Sequence, residues 1–220
     1  MPTPFETLKQ AHAADWQAYV EHRFVRELAM GSLPQQAFQH YLKQDYLFLI
    51  QFARAWGLAV YKSRNLADLR QSLDSLKAIV DIELGLHIGY CAEWGISETD
   101  LAELAESKAT LAYTRYVLDA GMSGDLLDLH VALAPCIIGY GEIATWIRQQ
   151  PFMLRADNPY ADWIAMYAGE EYQELVSAEL RWLNERLATV DAGRLTQLSV
   201  VFRDATRLEA DFWQMGLDLS

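Results

Sequence analysis

One thiol and two carboxylates stand where they could do chemistry. Cys136 lies in VALAPCIIGYG, residues 131–141, a run without a charge between His130 and Glu142. A helix made from such a run has no polar face and must be covered on all sides. Pro135 inside it removes a helical N–H and frees a carbonyl one turn back. Gly139 and Gly141 let another backbone or a ligand come close. Tyr140 follows Cys136 by four residues, so thiol and phenol share a face. A thiol placed this way is either a nucleophile or core filling.

The carboxylates are Asp45 and Glu209. Asp45 interrupts the apolar stripe Phe38, Tyr41, Phe48, Phe52 and Trp56. Glu209 sits where a leucine would be expected in the stripe Leu198, Phe202, Ala205, Phe212 and Gly216. Steps of three and four define one helix face, so both acids point toward a core. A carboxylate there costs several kcal/mol unless it is paired or hydrogen-bonded. It is therefore either a core group satisfied by a neighbouring helix or part of a site. Carboxylates beside a cavity recognise amino and ring-nitrogen groups and move protons. Asp45, Cys136 and Glu209 are expected to face one internal pocket.

A third stripe carries Leu76, Val80, Glu83, His87, Tyr90 and Trp94. Glu83 and His87 are four apart, which makes a single possible ligand pair. A helical di-metal carboxylate site asks for Glu-x-x-His on two helices, and none of the five histidines has a glutamate three residues before it. No metal is expected. A haem would need only one axial histidine, His12 or His22. Cys91 has no basic or acidic partner in step and reads as core. Tyr113 and Tyr167 stand near helix breaks at Gly121 and Gly169, where a side chain can line a pocket mouth.

The elements that must position these residues are helices. Between Pro34 and Pro135 there is no proline, and alternating apolar and polar runs are missing, which predicts an all-α chain. The expected helices cover residues 4–23, 34–63, 66–94, 97–121, 125–149, a short one from 159 to 169, 170–190 and 193–217. Ser32 with Gln35, and Ser97 with Asp100, are capping patterns. Residues 151–159 form the one clear connector, with Asn158 as cap and Pro159 as first residue of the next helix.

At 220 residues, and without repeat or low-complexity linker, residues 1–220 are expected to form a single domain. The formal net charge of −12 argues against general nucleic-acid binding. The N-terminal decapeptide has no apolar signal region, and no apolar run approaches the length of a membrane span. Two cysteines do not make a disulfide framework, so free thiols in a cytoplasmic setting are expected.

The runs YLKQDYLFL (41–49), AYTRYVL (112–118), APCIIGYGE (134–142), WIAMYAGEEY (163–172) and LEADFWQMG (208–216) resemble the thiaminase II (TenA) family, in order and across nearly the whole chain. The resemblance implies a haem-oxygenase-like helical bundle with a buried central helix and an internal pocket. It implies a homotetramer or dimer and no cofactor, while the charge and the short apolar runs give the expectation of no nucleic acid and no membrane. The implied activity is hydrolysis of 4-amino-5-aminomethyl-2-methylpyrimidine, and of thiamin, to the hydroxymethyl pyrimidine. Residue by residue, Cys136 matches the nucleophile and Glu209 the acid. Asp45 matches the carboxylate that holds the pyrimidine amino group, and Tyr113, Tyr140 and Tyr167 match pocket tyrosines. Phe48 departs from the pattern: a tyrosine thought to sharpen the cysteine is usual there, and Phe48→Tyr is expected to raise activity. A non-catalytic pyrimidine- or thiamin-binding relative and a metal-dependent oxidase on the same fold are the alternatives.

Overall fold

A computed structural model describes residues 2–220. Among them there is no strand. In chain order the helices are α1 (Pro4–Ala11), α2 (Ala13–Val20), α3 (Arg23–Ala29), α4 (Gln35–Lys62), α5 (Leu66–Ala78), a π-helical turn π1 (Ile79–Glu83), α6 (Leu84–Glu93), α7 (Glu98–Ala102) and α8 (Lys108–Ser123). They continue with α9 (Leu126–Ala134), a second π-turn π2 (Pro135–Gly139), α10 (Tyr140–Gln149), α11 (Ala161–Tyr167), α12 (Glu170–Leu187) and α13 (Ala192–Asp218).

The chain forms two compact units. The first takes the N-terminal segment through Pro34 together with Val131–Trp213. Its core is aromatic: Trp16 stacks on Phe202 at 5.5 Å and Phe24 on Trp213 at 4.8 Å between ring centroids. Glu142 collects the Trp16 indole N–H at 2.8 Å and the Lys9 ammonium at 2.7 Å, tying α1 and α2 to α10. The Asn158 amide donates to the carbonyls of Leu28 and Ala29, closing the end of α3. The second unit takes Gln35–His130 and Gln214–Ser220. Here α4 is the spine, packed against α5, α6 and α8. Gln44 stitches it to the α7–α8 loop and the first turn of α8, donating to Ala105 O and accepting from Ser107 N and the Thr110 hydroxyl.

The expected first helix, residues 4–23, is two short ones, and Arg23 begins a third. It breaks at His12 and again at Glu21–His22, where the His22 ring accepts from Phe24 N–H and caps α3. No glycine or proline marks either break. Ser97 and Asp100 form the expected reciprocal capping box, but that helix stops at Ala102 and restarts at Lys108. The Ser32 pattern does not cap α4: Ser32 and Leu33 instead give their N–H groups to Glu27 O and terminate α3. Helix α11 begins at Ala161, and Asn158 caps from outside by accepting the Tyr160 N–H.

The uncharged run extends past His130 and Glu142 into a continuous rod, Leu126–Gln149, of 24 residues. The rod is long and apolar enough to cross a membrane, which the uncharged run by itself is not. Since 78% of its most apolar window is buried inside the protein, it serves as a core helix.

Candidate active site

Cys136 is the second residue of π2. Pro135 supplies no N–H, so the α-helical ladder cannot run through it, and the chain takes the wider π turn. Carbonyls of this turn are also bonded from outside. Tyr19 donates its hydroxyl to Pro135 O at 3.1 Å, and Tyr172 reaches Ile137 O at 3.2 Å and Cys136 O at 3.5 Å. Two tyrosines from α2 and α12 thus hold the backbone on either side of the cysteine. Within a rod that is otherwise largely buried, Cys136 and Ile137 are only half-buried. The other thiol is different: Cys91 is fully buried, and burial pushes its pKa up while Lys43 opposes. Core filling is the right description of Cys91.

Tyr140 and Tyr167 are brought together, with ring centroids 5.0 Å apart, and Trp163 lies 4.6 Å from Tyr167 and 5.8 Å from Tyr140. Tyr172 stands edge-on to Tyr167 at 4.8 Å. Glu209, on α13, is 1% exposed. Cys136, Tyr140, Tyr167 and Glu209 all belong to the first unit.

The second unit holds the other three. Phe48 and Tyr113 are in ring contact at 5.0 Å, and both are buried. Asp45 is 3% exposed and belongs to a network of its own. Its Oδ2 accepts from the Tyr41 hydroxyl at 3.0 Å and faces His87 Nε2 at 2.7 Å. The other imidazole nitrogen, Nδ1, faces the Glu83 carbonyl at 2.8 Å. A carbonyl and an ionised carboxylate both accept, so beside an ionised Asp45 this ring donates from both nitrogens and carries the positive charge. The His87 pKa is raised: burial works against the charged ring, but the Asp45 hydrogen bond and charge, the Glu83 carbonyl and the Glu83 carboxyl together outweigh it. Burial also pushes the Glu83 carboxyl up to about 7; the His87 charge opposes this and the Asp45 charge adds to it.

The third stripe holds at Glu83 and His87 but not at Val80, which is 50% exposed. The π1 turn adds a residue to the helix and shifts the register, so Ile79 is buried instead. Spacing marks Glu83 and His87 as neighbours, but it carries no sign of the pairing of His87 with Asp45 across two helices. Tyr41, Tyr19 and Tyr172 likewise give no sign in the sequence that they donate to these groups. Among the described residues, no group of three or more His, Cys, Asp or Glu is placed to hold a metal ion.

Comparison with known proteins gives a family and several relatives. The TENA/THI-4/PQQC family matches residues 9–219. An uncharacterized protein of Haemophilus influenzae is 43% identical over 98% of this chain and 99% of its own. A protein of Halalkalibacterium halodurans named aminopyrimidine aminohydrolase is 35% identical over 91% of this chain and 89% of its own. Among solved structures, a TenA family transcription regulator from Silicibacter sp. TM1040 superposes with a TM-score of 0.90 at 42% identity, covering 97% of this chain and 96% of that one.

Proposed function

Because this chain belongs to the TENA/THI-4/PQQC family, we propose that it is a thiamin-salvage hydrolase, converting 4-amino-5-aminomethyl-2-methylpyrimidine, and thiamin, to the 5-hydroxymethyl pyrimidine. The observation that carries the reading is Cys136: a half-buried thiol on a proline-made π-turn whose flanking carbonyls are pinned by two tyrosines.

The bond to be broken joins a benzylic-type carbon to nitrogen and is not activated by itself. In the proposed route the Cys136 thiolate adds to an electron-poor ring carbon and breaks the aromaticity. Glu209 delivers a proton to a ring nitrogen, which makes the ring a better electrophile. The ring's electron pair then expels the side-chain amine, which leaves as ammonia from its protonated form, or the neutral thiazole from the thiazolium of thiamin, and leaves an exocyclic methylene. Water adds to that methylene, the ring nitrogen returns its proton to Glu209, and restoration of the ring expels the thiolate, so one water is consumed and one ammonia or thiazole released. Asp45 accepts the 4-amino N–H. Tyr113, Tyr140, Tyr167 and Phe48 give a flat ring aromatic walls. No cofactor enters any of these steps. Work in the cytoplasm, as a homo-oligomer, completes the proposal.

Release of hydroxymethyl pyrimidine from the aminomethyl pyrimidine, measured for the native protein beside Cys136→Ala, tests it. Product from the native protein alone supports both the reaction and the nucleophile. Equal product from the two removes Cys136 from the mechanism, and no product from either removes the activity. Phe48→Tyr sharpens the assay. The added hydroxyl, in ring contact with Tyr113, is expected to raise the rate severalfold; an unchanged rate would show that no activator is missing.

A further inference from the structure

Taking Asp45 as the group that holds the pyrimidine amino function, which rests on the hydrolase reading, we propose that His87 is a positioning residue that turns Asp45 Oδ1 toward the ligand and so makes the protein select amino- over oxo-substituted pyrimidine rings. The two hydrogen bonds to this carboxylate both fall on Oδ2, from His87 Nε2 at 2.7 Å and from the Tyr41 hydroxyl at 3.0 Å. Oδ1 takes neither. Two donors on one oxygen hold the carboxylate and leave the other oxygen as the acceptor available to a ligand. His87 is itself immobilised: its side chain is fully buried, and Nδ1 is anchored on the Glu83 carbonyl at 2.8 Å. The ring therefore cannot turn to offer an acceptor nitrogen without losing that bond. The positive ring also balances the carboxylate, so the pair can be buried without an uncompensated charge.

The consequence is a directional rule. Oδ1 can accept an N–H from a 4-amino group. A 4-oxo ring presents an oxygen to an oxygen there and leaves both unsatisfied. A hydrogen bond to a charged, buried partner separates such ligands by about tenfold to a hundredfold. A site built to bond one group rejects the analogue that lacks it.

The test is calorimetric binding of 4-amino-5-hydroxymethyl-2-methylpyrimidine and of its 4-oxo counterpart to the native protein, His87→Gln and Tyr41→Phe. The native protein is expected to prefer the amino ring by more than about tenfold. His87→Gln keeps one N–H donor but drops the charge and the Nδ1 anchor, so most of that preference is expected to go. Tyr41→Phe is expected to lose less of it. In turnover, His87→Gln raises KM for the amino substrate more than it lowers kcat, as fits a residue that acts through Asp45.

Binding of the amino ring with the native preference intact in His87→Gln overturns this inference and leaves the hydrolase reading standing. Binding of neither ring by the native protein overturns both. If His87→Gln does not fold, nitrogen-15 spectra of the native protein decide. Both His87 nitrogens protonated at pH 7 support the arrangement, and one unprotonated nitrogen overturns it.

Discussion

Among the described residues two π-turns interrupt helices, and each lies beside a candidate functional group. π2 carries Cys136; π1 ends at Glu83, whose carbonyl anchors the His87 ring that binds Asp45. They are built differently. π2 begins with a proline and ends with a glycine, and side chains from other helices take its carbonyls. π1 has neither residue, presents Val80 and Ile82 to solvent, and is held at its C-terminal edge by the histidine one turn later. The first is a turn imposed by covalent structure and clamped from outside. The second is one that the Asp45–His87 pair helps to hold. A clamped turn suits a nucleophile, whose reach must not vary; a turn tied to a buried ion pair feels whatever alters that pair's charge.

The largest expected difference separates the two thiols near these turns. Cys136→Ala is expected to lower hydrolysis by about a thousandfold or more, because it removes the attacking atom. Cys91 lies on α6, beyond π1, and Cys91→Ala is expected to leave the rate within about twofold. Alkylation of the folded protein offers a second measurement. Cys136 is expected to be labelled and Cys91 spared, since burial raises the Cys91 pKa and leaves little thiolate. Equal labelling would erase the contrast.

The next difference is in packing. A Cβ built on Gly139 would lie 2.3 Å from Tyr19 Cε1 and 2.7 Å from its hydroxyl oxygen. The Tyr19 ring is fully buried and bonded to Pro135 O, so it has nowhere to retreat. Gly139→Ala is expected to cost about 1–3 kcal/mol of stability, read from a denaturant melt. Next to π1 the same substitution should have the opposite sign. A Cβ on Gly85 meets nothing within 4 Å, so Gly85→Ala is expected to gain about 0.4–1 kcal/mol by reducing the freedom of the unfolded chain. Destabilisation at both positions would mean that π1 is as tightly enclosed as π2.

The same contrast explains what is legible in the sequence. Proline and glycine announce themselves, so the special character of residues 135–139 shows there, as do the Ser97–Asp100 box and the turn at Gly95. The acids Asp45 and Glu209 stand out because a charge in an apolar stripe violates the period, and both are buried. π1 is silent, since a π-turn without proline leaves no local signature and is decided by tertiary packing; hence the misplacement of Val80. The breaks after α1 and α2 are silent for the same reason. The Asp45–His87 bond spans 42 positions, and no periodicity within one helix can indicate which residue on another will meet it.

The smallest effect, and the one that most directly probes how π1 differs from π2, is the pH dependence carried by Glu83. Its carboxyl is pushed from an ordinary 4.5 up to about 7, chiefly by burial. Between those two values the folded protein keeps a proton that the unfolded chain has released, so the folded state binds more protons and stability falls as pH rises. Below about 4.5 both states are protonated and the penalty is absent; above about 7 both are ionised and it is fully present. Part of the residue stays open to water, and that hydration takes back much of the penalty. Glu83→Gln removes the charge without changing the shape. It should therefore leave the melting temperature unchanged near pH 4.5 and raise it by on the order of a degree or two above pH 7. His87 runs the same way for a different reason. Its raised pKa gives stability that is complete below its unfolded value and is lost as pH climbs through the folded one. In Glu83→Gln the ring also loses the support of the Glu83 charge, which trims the gain at high pH. A Glu83→Gln melt displaced equally at about pH 4.5 and about pH 8 would mean that the carboxyl's charge is not what the neighbourhood of π1 resists.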